Sequence, residues 1–348
     1  MKSTSDVGVI IVNWNGKHFL EKCLPSIKTQ TYGCSVVVVD NGSTDGSQRY
    51  VEEQFPEFTL IKLPSNAGFA RPNNLGIIEL LKNPEIQFIF TLNNDTELKP
   101  TCVEELVRCA RSHQNVGAVQ GKMLNAFERN QIDGSGMQIF WDMSALNRGH
   151  GETDHGQYDR EEEIFGAVAS ASLYTRQALE RVRDAQGQFF DEDYFAYHED
   201  VDMAMRLRLL GFSSYYTPRS MLYHVHSGTG KQRSPFKSFY VHRNRYYCMI
   251  KDLPLLLLIP TLLLIPIRYM VLGTSLLRKK GAAADVSKKA SGGGLIGIVL
   301  RAWKDVIRNF PRMWKKRGDI QEQRVVPLRE VVSWFRHYRA DIATIFYG

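Results

Sequence analysis

The stretch VGVIIVNWNGKHFLEKCLPSIKTQTYGCSVVVVD, residues 7–40, decides how the chain is to be read. VGVIIVN (7–13) is a β-rich apolar run, and from Lys17 to about Gln30 the residues Phe19, Leu20, Cys23, Leu24 and Ile27 recur at helical spacing. CSVVVVD (34–40) is almost continuously apolar, as a strand buried on both faces of a parallel sheet should be. The alternation continues through a helix from Ser47, then FTLIKL (58–63), GFARPNNLGIIELLKN (68–83), IQFIFTLN (86–93), CVEELVRCARSH (102–113) and VGAVQG (116–121). Strands and helices at this spacing predict a parallel, right-handed α/β sheet. Ligands of such sheets bind beyond the carboxyl ends of the strands, where Asp40 and Asn93 to Asp95 fall.

After residue 121 the pattern loosens. Residues 122–165, rich in Asp, Glu and Gly, read as surface loops or an insertion. GAVASASLYTRQALERV (166–182) reads as a small-residue strand running into a helix. FFDEDYFAYHEDVDMAMRLRLLG (189–211) reads as an acidic loop leading into a helix from about Glu199, stopped by Gly211. FSSYYTP (212–218) and SMLYHVHS (220–227) read as two closing strands.

Residues 253–277 are apolar apart from Arg268, with Pro254, Pro260 and Pro266 at six-residue intervals. The unbroken apolar part is 15 residues against about 20 for a bilayer span, so a re-entrant or interfacial hairpin is as good a reading as a crossing. Residues 278–294 read as a flexible basic linker. In 295–317, Leu295, Ile298, Val299, Ala302, Trp303, Val306, Ile307 and Phe310 form one stripe, and Arg301, Lys304, Arg308, Lys315 and Lys316 largely another. That pattern suits an amphipathic helix in a lipid headgroup layer, the alternative being a helix packed on its own domain.

The net charge of +7 over 348 residues is unevenly spread. Residues 1–230 hold 21 basic and 30 acidic side chains, and residues 231–348 hold 23 and 7, so the two parts carry −9 and +16. A basic tail on an acidic body points to a polyanionic partner, nucleic acid or the anionic face of a membrane. With 43% apolar residues the chain is neither disordered nor a small disulfide scaffold, and its five cysteines show no CxxC pair or metal-ligand spacing. VNWNG after the first strand is no GxGxxG, and SGTGKQ (227–232) lacks the spacing of a phosphate-binding P-loop.

Chemistry-bearing residues gather at strand ends and helix starts. Asp40 ends a buried strand, where its carboxylate can accept hydrogen bonds from a base or ribose. LNNDT (92–96) offers hard oxygen ligands suited to Mg²⁺ or Mn²⁺ with a substrate's phosphates. HEDVD (198–202) opens a helix on which Asp202 and Arg206 form an i,i+4 pair, and Glu199-Asp200 follows an aromatic run that could desolvate a carboxylate enough to make it a general base. In YHVHS (223–227) both histidines point to one face of a strand, and one could complete a metal shell.

Taken together, VIIVNWNG, VVVVDNGSTDGS, NAGFARPNNLGI, LNNDT, FDEDYFAYHEDVDMAMRLRLLG and YHVHSGTG…RNR resemble, in order and spacing over roughly residues 7–250, the inverting family 2 glycosyltransferases. More narrowly the chain resembles the bacterial rhamnosyltransferase-type members that build cell-surface polysaccharides. The resemblance implies a GT-A fold, a Rossmann-like, mixed but mainly parallel sheet flanked by helices, with a membrane-associated helical tail. Residues 1–250 would be the catalytic domain, its nucleotide-sugar half about 1–121 and its acceptor half about 122–250, and 251–348 the membrane-associating region.

By the same resemblance, Asp40 binds the nucleotide base, with Val12 and Asn13 lining its pocket. Asn66, Gly68, Arg71, Asn73 and Asn94 border the donor. Asp95 stands at the last position of the family's DxD motif and holds the metal with His224, which matches better than His226. Asp200 is the base, with Gly166, His198 and Glu199 on the acceptor side. Asn93 replaces the first Asp of the motif, a departure that bears on metal dependence. The implied activity is transfer of a sugar, L-rhamnose from dTDP-L-rhamnose being the donor suggested, with Mg²⁺ or Mn²⁺, to a lipid-linked or polysaccharide acceptor. The expected setting is the cytoplasmic face of the cell membrane, peripheral or monotopic, on an anionic surface, with no nucleic acid and with homo-oligomers allowed. A nucleotidyltransferase and a nucleic-acid-binding protein are the competing readings.

Overall fold

The computed structural model describes residues 5–225, 234–277 and 294–340. His226, the 227–232 loop and most of the basic linker lie outside them. Two compact units emerge, one of residues 1–137, 147–207 and 212–229, the other of 138–146, 208–211 and 230–348.

The first unit is built on β1 (Val7–Asn13), α1 (Lys17–Lys28), β2 (Ser35–Asp40), α2 (Ser47–Gln54), β3 (Thr59–Lys62), α3 (Ala70–Leu81), β4 (Phe88–Asn93), β5 (Thr96–Leu98), α4 (Cys102–Ser112) and β6 (Val116–Asn125). It continues through β7 (Ile132–Gly134), β10 (Glu162–Ile164), β11 (Ala171–Thr175), α5 (Arg176–Val182), α6 (Glu199–Leu209) and β12 (Ser213–His224). The short strands β8 (Met137–Ile139) and β9 (Ala145–Asn147) form a separate ribbon that falls largely in the second unit. The main sheet runs β10-β12-β6-β11-β4-β1-β2-β3. Six of those eight strands point the same way, and β10 and β11 oppose them. The sheet is therefore mixed and mainly parallel in direction.

The parallel half forms because Val9, Ile10, Ile11, Val38 and Val39 have no exposed face. Helices cover both sides: Leu20, Cys23 and Leu24 of α1 and Cys102, Leu106 and Cys109 of α4 join one core with Val9, Ile11, Val38 and Phe90 on one face, and α3 lies on the other, with Gly76 against Ile10 and Leu80 against Gly8. Register fixes where the strands end, Asn13 opposite Asp40 and Val12 opposite Asn93. All the site residues of these strands are thereby delivered to one edge of the sheet.

One expectation gains a direction and two change. The small-residue run at 166–182 is a strand followed by a helix as read, and the strand, β11, wedges antiparallel between β4 and β6. The two closing strands are one, β12, whose pairing with β6 skips between Thr217 and Met221; Pro218, without an N–H to donate, stands in that gap. Residues 122–165 are not mere surface loops, since they contain the end of β6, four short strands and the buried Ile132, Asp133, Ser135 and Met137.

The second unit contains α7 (Pro235–Asp252), α8 (Leu255–Leu262), α9 (Leu264–Leu277), α10 (Gly294–Glu322) and α11 (Leu328–His337). Asp142 accepts from Arg245 and Arg268, each at 2.7 Å, and the two guanidinium groups outweigh burial to hold its carboxyl down at about 2. The apolar segment breaks at Leu263 into α8 and α9, and no helix among the described residues is long and apolar enough to cross a membrane. On α10 the expected stripe divides: Leu295, Ile298 and Ala302 are buried as the helix packs along α7, whereas Trp303, Ile307 and Phe310 are exposed. The reading of a helix packed on its own domain holds for one face, and the other face is left exposed.

Within the first unit, Asp202 and Arg206 of α6 form the i,i+4 pair at 2.7 Å in full burial. Arg206 also donates to the carbonyls of Val182 and Phe189, anchoring the loop that precedes α6. Asp202→Ala takes the carboxylate partner from that buried guanidinium and is expected to cost about 3–5 kcal/mol in denaturant unfolding, most of it recovered when Arg206→Met is added.

Candidate active site

Asn13, at the end of β1, is fully buried and joins three neighbours, one of them Ser43, whose hydroxyl accepts from Asn13 Nδ2 at 3.2 Å. Its Nδ2 donates to Asp40 Oδ1 at 3.2 Å and its Oδ1 accepts from Asn94 Nδ2 at 2.7 Å. The other oxygen of Asp40 accepts from the Ser43 N–H at 2.9 Å and from Gln48 Nε2 at 2.7 Å. Asn41 carries the network on, donating to Asn66 Oδ1 at 3.0 Å and the Gly68 carbonyl at 2.7 Å while accepting from the Ala67 N–H. Gly68 lies at φ +84°, and a Cβ there would collide with the Phe195 carbonyl, so the position needs glycine. Val12 is half-buried beside this cluster and Arg71 is exposed in the first turn of α3. Asn73 is buried in the first turn of α3, its amide donating at 2.9 Å to the carbonyl of Phe69, the residue after Gly68. The α3 amide that reaches another element is Asn74, which donates to the Phe190 carbonyl at 2.8 Å and accepts from the Phe190 N–H at 2.9 Å.

The second cluster follows β4. Asp95 and His224 are both buried, with His224 Nε2 3.2 Å from Asp95 Oδ1. Behind the imidazole, His224 Nδ1 is 2.7 Å from Asp133 Oδ2. Burial alone would lower the His224 pKa, but the hydrogen bonds and charges of Asp133 and Asp95 outweigh it and lift the group to about 10. Asn93 brings its amide to 3.5 Å from His224 Nε2, so the residue that departs from the family's motif still borders the site.

A carboxylate oxygen is a donor that Mg²⁺ or Mn²⁺ accepts, and an imidazole nitrogen suits a transition-metal ion such as Mn²⁺. Two ligands bound at about 2.1 Å and at right angles stand about 3 Å apart, close to the Asp95–His224 separation, so the residues fit a divalent ion. Cys109, His113 and Glu161 also come together. There Glu161 is already paired with Arg108, and burial pushes the Cys109 thiol up to about 12, which disfavours a ligating thiolate.

The third cluster opens α6. Glu199 is buried and Asp200 half-buried. Desolvation raises both: Glu199 well above its ordinary value with help from the neighbouring Asp200 charge, and Asp200 to about 6, moderated by backbone N–H groups including that of Ala169. Ala169 also ties the clusters together, since the next residue, Ser170, accepts the Asn93 N–H at 2.8 Å at the end of β4. Before the pair, Phe195, Tyr197 and His198 all adopt positive φ (63°, 67° and 67°), a backbone that non-glycine residues avoid. Gly166 is required by packing, because a Cβ there would collide with that of Ala204 on α6.

Asp133, Asn41, Ser43 and Gln48 were not singled out in the sequence. The last three follow Asp40 within one turn and a helix start, a signal that could have been used. Asp133 lies in the stretch read as loop, and nothing in its spacing ties it to His224.

Residues 8–183 match the Glycosyl transferase family 2 model, and the chain belongs to that family. An N-acetylglucosaminyl-diphospho-decaprenol L-rhamnosyltransferase of Mycobacterium tuberculosis is 27% identical over 269 residues, covering 72% of this chain and 85% of its own. The Escherichia coli protein named uncharacterized glycosyltransferase YibD is 32% identical over 114 residues, 32% of each chain. Among solved structures, a mannosyltransferase of Pyrobaculum calidifontis in complex with GDP-Man and Mn²⁺ superposes with a TM-score of 0.51 at 16% identity, over 92% of this chain and 86% of that one. GalNAc-T7 with UDP, GalNAc and Mn²⁺ gives 0.51 at 13%, over 64% of this chain and 44% of that one. These likenesses establish a GT-A-like fold, and family membership favours glycosyl transfer over nucleotidyl transfer or nucleic-acid binding.

The raised Glu199 sets a direction for stability. The unfolded chain releases this proton at lower pH than the folded one, so the group costs nothing below the ordinary carboxylate range and subtracts stability as pH rises through and above it. Glu199→Gln is therefore expected to raise the thermal midpoint relative to the native chain more at about pH 8 than at about pH 4, measured by circular dichroism.

Proposed function

We propose that the protein transfers a sugar from a nucleoside-diphosphate donor, with inversion, to a hydroxyl of a lipid-linked or growing glycan, and that L-rhamnose from dTDP-L-rhamnose is the donor to test first. The observation that carries the reading is Asp200: a half-buried carboxylate with its pKa lifted to about 6, hydrogen-bonded through Ala169 to the turn that abuts the Asn93–Asp95 strand end. The similar mycobacterial protein is named for a diphospho-decaprenol substrate, which supports a lipid-linked acceptor.

In this reading Asp40, fixed through both carboxylate oxygens, presents a rigid edge to the base, and Asn66 and Gly68, tied to Asn41, border the donor. Asp95 and His224 would hold Mg²⁺ or Mn²⁺, which neutralises negative charge on the leaving diphosphate. Asp200 takes the proton from the acceptor hydroxyl as that oxygen attacks the anomeric carbon from the face opposite the leaving group. Its raised pKa makes it a stronger base than a solvated aspartate while leaving it ionised at neutral pH.

For the location we propose the anionic surface of the cell membrane, on its cytoplasmic side. Along α10 the residues Ile296, Leu300, Trp303, Ile307, Phe310 and Trp314 are all at least 40% exposed and recur at intervals of four and three, forming one continuous apolar stripe. Exposed Arg301, Lys304, Arg308 and Lys315 run alongside it. Apolar insertion with flanking cationic side chains is how a helix lies in a headgroup layer.

Two experiments test these readings. Nucleoside diphosphate release from a panel of nucleotide-sugars should be lost about 10²–10⁴-fold in Asp200→Asn with donor binding retained, and the native kcat/KM should fall on acidification below about pH 6 as the base is protonated; unchanged turnover would remove Asp200 from its role. Co-sedimentation with phosphatidylglycerol vesicles should drop in the Trp303→Glu, Ile307→Glu double variant, and binding to duplex DNA instead of vesicles would overturn the membrane assignment.

A further inference from the structure

Asp133 is fully buried yet plays no part in the mechanism above. It lies on β7, where pairing to β6 passes from Met123↔Gly134 directly to Leu124↔Ile132, so that Asp133 is the extra residue of a β-bulge. Bulges re-aim a side chain out of the regular alternation. Here the carboxylate reaches His224, 91 residues further along the chain, with Oδ2 2.7 Å from Nδ1. An ionised carboxylate has no proton to give, so Nδ1 is the donor. That leaves Nε2 as the nitrogen facing Asp95, 3.2 Å from Oδ1. Asp133 is itself braced: His150 Nδ1 lies 3.4 Å from its Oδ1, and the Asp133 carbonyl is 3.1 Å from the same nitrogen.

We propose that Asp133 is the positioning residue of the metal site, holding the Nδ1–H of His224 so that Nε2 is presented beside Asp95 to a divalent cation. The proposal rests on the assignment of Asp95 and His224 as metal ligands. A carboxylate behind a ligating imidazole fixes its tautomer and ring rotation and makes the free nitrogen more basic, and losing such a partner typically weakens metal binding about 10–100-fold. The bulge gives the arrangement its logic, because a regular β7 would have spent the Asp133 side chain on ladder alternation.

The test is Mn²⁺ binding to the full chain, followed by the electron paramagnetic resonance of free Mn²⁺ with dTDP or, separately, UDP present. Asp133→Ala should weaken Mn²⁺ about 10–100-fold. The loss should be no larger than in His224→Ala, and the double variant should bind no more weakly than His224→Ala alone, because Asp133 acts only through that imidazole. Asp133→Asn, which keeps the size and one acceptor oxygen, should fall between native and alanine, and gives the same comparison if the alanine variant does not fold. A purely structural role would lower the thermal midpoint and leave Mn²⁺ affinity unchanged. Native Mn²⁺ affinity in the Asp133 variants while Asp95→Asn has lost it, or fully additive losses in the double variant, would overturn the proposal alone. Absence of Mn²⁺ binding in the native chain would overturn the ligand assignment as well.

Discussion

The side-chain amide of Asn13 is the contact on which the site depends. Within the closed interior at the end of β1 it gives a hydrogen to Asp40 and takes one from Asn94, so that three strand ends are held by one planar group. An amide suits the place because it offers a donor and an acceptor at once; a carboxylate would repel Asp40, and an apolar residue would leave two buried polar groups unsatisfied. The rest of the donor side is an extension of it, with Gln48 and Ser43 completing Asp40 and Asn41 carrying the order to Asn66 and Gly68.

The three clusters differ in electrostatic design. Asp40 is surrounded by neutral donors, Asp95 faces an imidazole whose pKa it and Asp133 lift to about 10, and Asp200 is desolvated against backbone N–H groups that offset the burial in part. A nucleotide, a cation and a proton make different demands, and one fold meets them by varying what surrounds the same functional group. Backbone hydrogen bonds at Ala169 and Ser170 keep the second and third clusters in mutual register.

Much of this was legible in the sequence, for definite reasons. Strands β1, β2 and β4 are buried on both faces, so their apolar runs are uninterrupted and their polar ends, Asn13, Asp40 and Asn93, stand out. Asp202 and Arg206 were readable as a pair because helical spacing alone makes them neighbours. The reversed direction of β11 was not readable, since a short strand of small residues has the same pattern in either direction. A proline-interrupted β12 imitates two strands. Asp133 was hidden most thoroughly: a bulge breaks the very periodicity that sequence reading relies on, and its partner is remote in the chain.

Phe195, Tyr197 and His198 hold left-handed backbone directly ahead of Glu199 and Asp200. Such conformations cost about 1–3 kcal/mol each and persist only while their surroundings impose them. The loop is pinned by the Phe69 N–H on the Phe195 carbonyl at 2.5 Å and by Asn74 and Arg206 on the residues just before it. Release of those pins would let the segment relax while the valine-rich sheet stayed intact. On gentle heating the enzyme should thus have two melting points, one for activity and a higher one for structure, with the first set by a few residues of loop.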